Sequence, residues 1–496
     1  MKTICILLLT ETLSISIMNE AEAAIVSFAQ SLSLATPSND SNVDTILNYG
    51  VPKVLLTILS SDSAISSDCQ SISENVAKSL FDIANLDQRI SRQVAKDGGV
   101  EIMSRLISQC KHDQTVLYAS KVITVLSLIE EDRRSTGRLV LVELMKSAGD
   151  ELFSEDCISS ILLALANIAL QSDANKNIIS SNVPQSLNKT RVPSLATATL
   201  ICNASFRNTC AAYNFLQSGI VDELIERCID IVIDETEDCL LLQRMMMMCA
   251  NISNSQQNQC LLQSNANLIL LITRILQIAE DASLLKAACK ACASLCYDST
   301  TARRSFGKDG AIALVDIILR MGLHDETNAD KLESITTEAA CKALSCLIID
   351  DMIREQLTAN LEDIQSLIQL FLQTESLDIV LPGGATVVSA MLPSEDEKAA
   401  LVSEGRLSFI EKEKGALVLS RCLKSTYSND DDLQPVWLKN AIKITRTTGV
   451  VVMPASGNEK EATESYAEAD LSKYFPRDDL FESVVVDFTD NTCCLW

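Results

Sequence analysis

Apolar residues recur along most of this chain at the three- and four-residue spacing of amphipathic helices, as in Val100, Ile102, Met103, Leu106 and Ile107, or Ile312, Leu314, Val315, Ile317 and Ile318. A small or glycine-bearing turn opens each such stretch. The turns are Tyr49-Gly50-Val51-Pro52, Asp97-Gly98-Gly99-Val100, Thr136-Gly137-Arg138-Leu139, Asn182-Val183-Pro184, Ser218-Gly219-Ile220-Val221, Asn265-Ala266-Asn267, Asp309-Gly310-Ala311, Ala359-Asn360-Leu361 and Glu404-Gly405-Arg406. Marked at 50, 99, 137, 183, 219, 266, 310, 361 and 405, they lie between 36 residues apart (183 to 219) and 51 apart (310 to 361). A second kind of stretch is more apolar all round and follows the form Ala-Leu-x-Asn-Leu-Ala. Its seven copies are Ser79–Ala84, Thr124–Ile129, Ala164–Ala169, Leu200–Ser205, Met248–Ser253, Ala291–Cys296 and Ala343–Ile348.

A helix group that is apolar on more than one face cannot bury that surface alone and must stack on copies of itself. The period fits the roughly 40 to 47 residues of armadillo and HEAT units. On these turns and these seven copies, residues 40–447 resemble the armadillo repeat family. The resemblance implies an all-α, right-handed armadillo/HEAT-type superhelical solenoid of about nine repeats. It also implies a groove lined by the third helix of each repeat, whose Asn position faces the ligand backbone. Residues 1–39 are expected to form an N-terminal capping helix and 448–496 an acidic, flexible tail. Pro382-Gly383-Gly384 through Pro393 and Glu397 interrupt the pattern.

Composition narrows the class. The chain has 496 residues with only 15 Gly and 9 Pro, well under the roughly 12% these two ordinarily supply together, which leaves little for hairpins and argues for long helices. Forty-one Lys and Arg stand against 66 Asp and Glu, a net charge of −25. That charge opposes nucleic acid, whose binding requires cations to displace counterions, and favours basic protein partners. Eighteen cysteines are scattered through helical runs, as reduced, buried thiols are, and point to the cytoplasm. Met1 to Glu11 with Ala21-Glu22-Ala23 imitates a secretory leader, but its apolar run is short and a capping helix is expected instead. No charge-free apolar run is long enough to span a membrane, so no direct membrane insertion is expected.

Catalytic chemistry has no visible carrier, so the chain is expected not to be an enzyme and to need no cofactor. Gly307-Lys308 is followed by Asp309 and makes no phosphate loop. His112 and His324 are far apart and read as helix-end or loop residues. Cys289, Cys292 and Cys296 form one helical stripe that reads as core, with no second cysteine pair to complete a zinc site. Met245 to Met248 reads either as a buried third helix or as a soft, adaptable binding surface.

The expected functional surface is the groove. Its ladder position holds Asp82, Ser127, Asn167, Asn203, Asn251, Ser294 and Cys346. The amides of Asn167, Asn203 and Asn251 can either bond the backbone of an extended peptide or tie their own helices. Acids recur just beyond the same stretches: Asp87; Glu130, Glu131 and Asp132; Asp173; Asp298; Asp350 and Asp351. Along one edge they would form an electronegative rail that attracts a Lys/Arg-rich segment. The candidate partner-binding residues are therefore Asp82, Glu130, Asn167, Asn203, Asn251, Asp298, Asp350 and Asp351. Importin-α-type readers place Trp four residues before the ladder Asn, where this chain has Leu163, Thr199 and Met247, and catenin-type grooves are basic.

Ser294-Leu295-Cys296-Tyr297-Asp298-Ser299, then Arg303 or Arg304, the Gly310 turn and Ile312 to Leu319, resemble one repeat of the smg GDS family of small-GTPase guanine-nucleotide dissociation stimulators. That resemblance implies Rho- or Rap-type GTPase partners held by their basic C-terminal tails, with Asn167, Asn203, Asn251 and Asp298 as tail contacts. It also implies nucleotide dissociation or chaperoning by affinity coupling. Ser294 and Cys346 stand where the family has Asn. The alternative is a general scaffold for other proteins. Cys493-Cys494-Leu495-Trp496 has only the outline of a prenylation box.

Overall fold

A computed structural model of the chain describes residues 40–61, 70–129, 133–148, 152–170, 172–186, 194–233, 239–322, 330–358, 366, 367 and 370. The expected capping helix (1–39), the tail (448–496) and its prenylation-like end, the interruption at 382–397, the turn marks at 361 and 405, and His324 lie outside the described residues. Among the described residues there are nineteen α-helices and no strand. They fall into two compact units, divided between Val221 and Asp222.

The first unit holds α1 (Asp40–Asn48), α2 (Val51–Ser60), α3 (Gln70–Leu86), α4 (Gln88–Lys96), α5 (Gly99–Gln109), α6 (Asp113–Leu126), α7 (Arg133–Ala148), α8 (Glu155–Ala169), α9 (Asp173–Ser186), α10 (Ser194–Ser205) and α11 (Thr209–Ser218). One repeat, α4 to α6, shows how the sequence makes the unit. Asp87 caps α4, its carboxylate accepting from the Arg89 N–H at 2.7 Å. Gly98 then takes φ 87°, a left-handed conformation that costs other residues about 1–2 kcal/mol. At Gly99 a Cβ would stand 2.7 Å from the Val94 carbonyl oxygen, so the second glycine lets two helices touch. Helix α5 buries Val100, Met103, Leu106 and Ile107 on one face, each worth about 1.5–3 kcal/mol relative to exposure. Helix α6 buries nearly every side, as a third helix sandwiched between neighbours must.

The third helices pack in file: α3 on α6, α6 on α8 and α8 on α10. Fully buried Ala164, Ala166 and Ala169 of α8 allow the close approach. Two turns expected at 137 and 183 are absent, for α7 and α9 run straight through them. Among the described residues, positive-φ glycines stand at Gly50, Gly98, Gly219 and Gly307, whereas Gly137 lies within α7.

The second unit takes up most of α12 (Ile220–Ile233) and continues with α13 (Cys239–Ile252), α14 (Gln256–Gln263), α15 (Ala266–Ile278), α16 (Ala282–Cys296), α17 (Thr300–Gly322), α18 (Asp330–Leu347) and α19 (Asp351–Thr358). Here α13 packs on α16, α16 on α18 and α15 on α17. The turn expected at Gly310 is displaced to Gly307, whose φ of 55° and ψ of −151° kink α17. Gly310 itself is helical and buried against Phe306. Cys289, Cys292 and Cys296 form a fully buried stripe of α16, facing buried Cys341 and Cys346 of α18. Burial pushes the Cys289, Cys296, Cys341 and Cys346 thiols up, that of Cys346 to about 12, so they behave as small hydrophobes rather than nucleophiles.

Candidate functional site

The ladder position sits in the seam between successive third helices. The Asn203 side-chain amide donates to the Ala166 carbonyl at 3.2 Å, and the Ser294 hydroxyl donates to the Ala250 carbonyl at 3.2 Å. In both cases the acceptor belongs to the residue just before the preceding ladder residue. Asn167 follows the same rule, donating to the Thr124 carbonyl at 3.4 Å. This identifies Val125 as the ladder residue of α6, in place of Ser127, whose hydroxyl bonds back to the Thr124 carbonyl of its own helix. Asn167, Asn203 and Asn251 are 3%, 0% and 0% exposed. The structure thus places these three side chains inside the stack rather than on an open groove wall, and for Asn167 and Asn203 a carbonyl of the adjacent helix offers the buried amide a partner.

The recurring acids have a local cause as well. Asp87, Asp173 and Asp350 each precede or open a helix, where a carboxylate meets the positive end of the helix and can satisfy free N–H groups. Asp87 caps α4 and pairs with Arg89. Asp173 opens α9 and lies 3.3 Å from the Lys176 ammonium. Asp350 is 6% exposed, accepts from the Met352 N–H at 3.1 Å and pairs with Arg304 at 3.0 Å. Its carboxylate is occupied within the chain, which corrects the expectation of an open rail at that position. Asp298 is exposed in the turn before α17, where Ser299 is the capping residue. Asp351 is the first residue of α19, and its side chain, like the whole of Glu130, lies outside the described residues.

What faces outward on the third helices of the first unit is a cluster centred on Lys121. Its ammonium lies 5.3 Å from the Tyr118 ring centroid and 5.6 Å from that of Phe81. The Lys78 ammonium lies 5.9 Å from Tyr118, and the two rings are 6.4 Å apart, tilted by 42°. Such placements are cation–π contacts between neighbouring repeats. Asp82 sits half-buried beside them. Burial raises its carboxyl, opposed by the charges of Lys78 and Lys121. Burial likewise lowers the Lys121 ammonium, opposed by Asp156 of α8 and by Asp82. Both charges are partly out of water before any ligand arrives, so a partner group that meets them is less screened than at an open surface.

Lys78 and Lys121 share a register, each one helical turn before its ladder residue, Asp82 or Val125. Lys290 and Lys342 occupy the same sequence position in the second unit, where Lys342 pairs with Glu338 at 2.8 Å. The middle repeats carry Leu163, Thr199 and Met247 there.

Other features offer less. His112 precedes α6, half-buried, with Nδ1 3.0 Å from the Thr115 hydroxyl and Nε2 3.9 Å from Glu74. Met245 to Met248 are at most 2% exposed. An open cleft of about 690 Å³ between α15 and α17 is lined by Leu276, Asp309, Ile312, Asp316 and Arg320, among others. Among the described residues, no group of three or more His, Cys, Asp or Glu is arranged to hold a metal ion, and no single helix is long and apolar enough to cross a membrane.

Two solved structures align with 90% of the chain. One, a crystal structure of an engineered protein, matches with TM-score 0.66 at 17% identity over 98% of its own length. The other comes from work on a phosphorylation switch controlling the interaction between cadherin and β-catenin, and matches with TM-score 0.64 at 13% identity over 85% of its length. The fold is armadillo-like. At these identities the likeness concerns architecture alone. No protein-family model and no curated protein matches the sequence.

Proposed function

We propose that this chain is a protein-binding scaffold without catalytic machinery, and that it receives an extended partner segment on the outward face of its third helices. The observation that carries this reading is the Lys78, Phe81, Tyr118 and Lys121 cluster, in which apolar surface and partly desolvated charge lie together across two packed repeats. Aromatic and cationic side chains in such settings dominate binding energy at protein interfaces. The free, buried thiols fit a reducing compartment, and the cytoplasm is the proposed location. A partner is measured against wild type and a Lys78→Glu/Lys121→Glu double variant. Binding weakened about tenfold or more, with unchanged helicity, supports the reading; unchanged affinity overturns it.

The finer reading makes the partner a Rho- or Rap-type small GTPase with a basic tail. Its support is the Ser294–Leu319 resemblance together with the exposed carboxylate of Asp298. Preferential binding of a nucleotide-free GTPase would favour GDP loss by population shift. Release of labelled GDP, with full-length and tail-truncated GTPase, tests it. No change in release and no binding would dispose of it. The lysines at the turn before the ladder favour the alternative, a scaffold for other proteins, since a Lys/Arg-rich tail laid along that wall meets like charge at Lys78 and Lys121.

A further inference from the structure

The outward cluster leaves one charged group unexplained. Arg244, in the first half of α13, is 1% exposed and is the largest fully buried side chain described. Its Nη1 meets the Met247 sulfur at 3.4 Å, a weak acceptor, and its Nε finds no acceptor among the described residues. In the same register, other third helices carry Ser160, Ala196 and Ala287, all small and buried. A guanidinium is always charged and presents its donors as a rigid fork matched to a carboxylate or phosphate. Burying one without an oxyanion is strongly unfavourable, which marks the site as lacking a component.

The surroundings say what that component is. Met245, Met246, Met247 and Met248 directly follow Arg244 in sequence and are all buried. Methionine side chains are unbranched and repack readily. Earlier in the same helix, Leu240 is 39% exposed and Gln243 is 9% exposed. From the unsatisfied Nε, the weak sulfur acceptor at Nη1 and the run of methionines, we infer that Arg244 is the receptor for an Asp or Glu side chain of a bound polypeptide, flanked there by apolar residues. The incoming carboxylate replaces the Met247 sulfur as acceptor and engages Nε and Nη together. The inference rests on the protein-binding reading and adds an acidic anchor residue to the partner segment. It also resolves the two readings of the methionine run in favour of a wall that is buried when empty and yields when occupied.

The test uses the full chain and the variants Arg244→Met and Arg244→Lys. The probes are inorganic phosphate, a short peptide alternating Glu with Leu, and the same peptide with Gln for Glu. Arg244→Met removes an uncompensated charge, so the free variant is expected to melt about 2 °C or more above wild type. The Glu peptide is expected to raise the wild-type midpoint and to bind Arg244→Met and the Gln peptide more weakly by about tenfold or more. Arg244→Lys, a point charge without the fork, should fall between. Stabilisation by phosphate but not by the Glu peptide overturns the polypeptide assignment. A destabilised Arg244→Met variant, with no probe shifting wild type, shows the guanidinium satisfied internally and overturns the inference entirely. If partner binding proves sensitive to Lys78→Glu/Lys121→Glu but indifferent to Arg244→Met, the scaffold reading stands and this inference alone fails.

Discussion

Replacing Asn203 by Ala separates the two roles its amide can have. The side chain is fully buried and donates to the Ala166 carbonyl across the α8–α10 seam at 3.2 Å. Losing a neutral hydrogen bond costs about 0.5–1.5 kcal/mol. The void left by the amide group in a packed seam adds a comparable amount, below the 2–5 kcal/mol of a Leu→Ala change. Together these give about 1–3 kcal/mol, or a seam open about 5 to 150 times more often. Native-state hydrogen exchange reads this directly, as lost protection in the amides of α8 and α10 while those of α16 keep theirs. A urea titration adds a lower midpoint at unchanged slope. If exchange in α8 and α10 is unaltered while partner affinity collapses, the amide serves a ligand and the seam argument is wrong.

Further expectations concern caps, pH, glycine and thiols. Asp350→Ala removes the cap of α19 and the buried end of the Arg304 pair, and should cost about 0.5–2 kcal/mol, seen as faster exchange in α19. Burial raises the Asp82 carboxyl above its ordinary 3.8, so the folded chain keeps this proton where the unfolded chain has lost it. Stability therefore falls as pH climbs from 3.8 through the raised folded-state value, and Asp82→Asn should flatten that dependence in urea midpoints taken between pH 4 and 7. Gly98→Ala forces a side chain into φ 87° and should lower stability by about 1–2 kcal/mol, measured by denaturant titration. Exposed Cys210, Cys239 and Cys260 should react promptly with an alkylating reagent, whereas Cys289, Cys292 and Cys296 should label only on unfolding; mass spectrometry of labelled peptides distinguishes them.

Much of the architecture is legible in the sequence because its causes are local. The Gly98-Gly99 turn, the apolar face of α5 and the Ala-rich third helix each follow from a residue type that few other arrangements tolerate. The sequence pattern puts the turn of α17 at Gly310, three residues late, since Gly307 and Gly310 look alike in a string and only the dihedral angles distinguish a positive-φ glycine from a helical one. The candidate site was harder for two physical reasons. Acids at helix starts recur with the same period as a functional edge, so Asp87, Asp173 and Asp350 imitate a rail although Asp87 and Asp350 cap their own helices and Asp173 is engaged by Lys176 and by Asn208 of α11. Buried amides that tie repeats also recur with that period, and burial is not written in the residue type.

The lysine wall did leave a signal, for Lys78, Lys290 and Lys342 stand four residues before Asp82, Ser294 and Cys346. Comparing only the three Asn repeats, which carry Leu163, Thr199 and Met247, hides it. Lys121 joins the set only after the Asn167 bond to Thr124 moves the register of α6 from Ser127 to Val125. Arg244 left no signal at all, since one arginine in a helix says nothing about whether an anion is missing beside it.

The claim on which the account turns is that partners meet the outward face of the third helices. A photo-crosslinking residue placed at Tyr118 probes that face, and one placed at Val142, 48% exposed on α7, probes a second-helix surface. The account predicts that a bound partner is captured from position 118, that capture is lost when Lys121→Glu is added, and that position 142 captures nothing. Capture from 142 with none from 118 would contradict it.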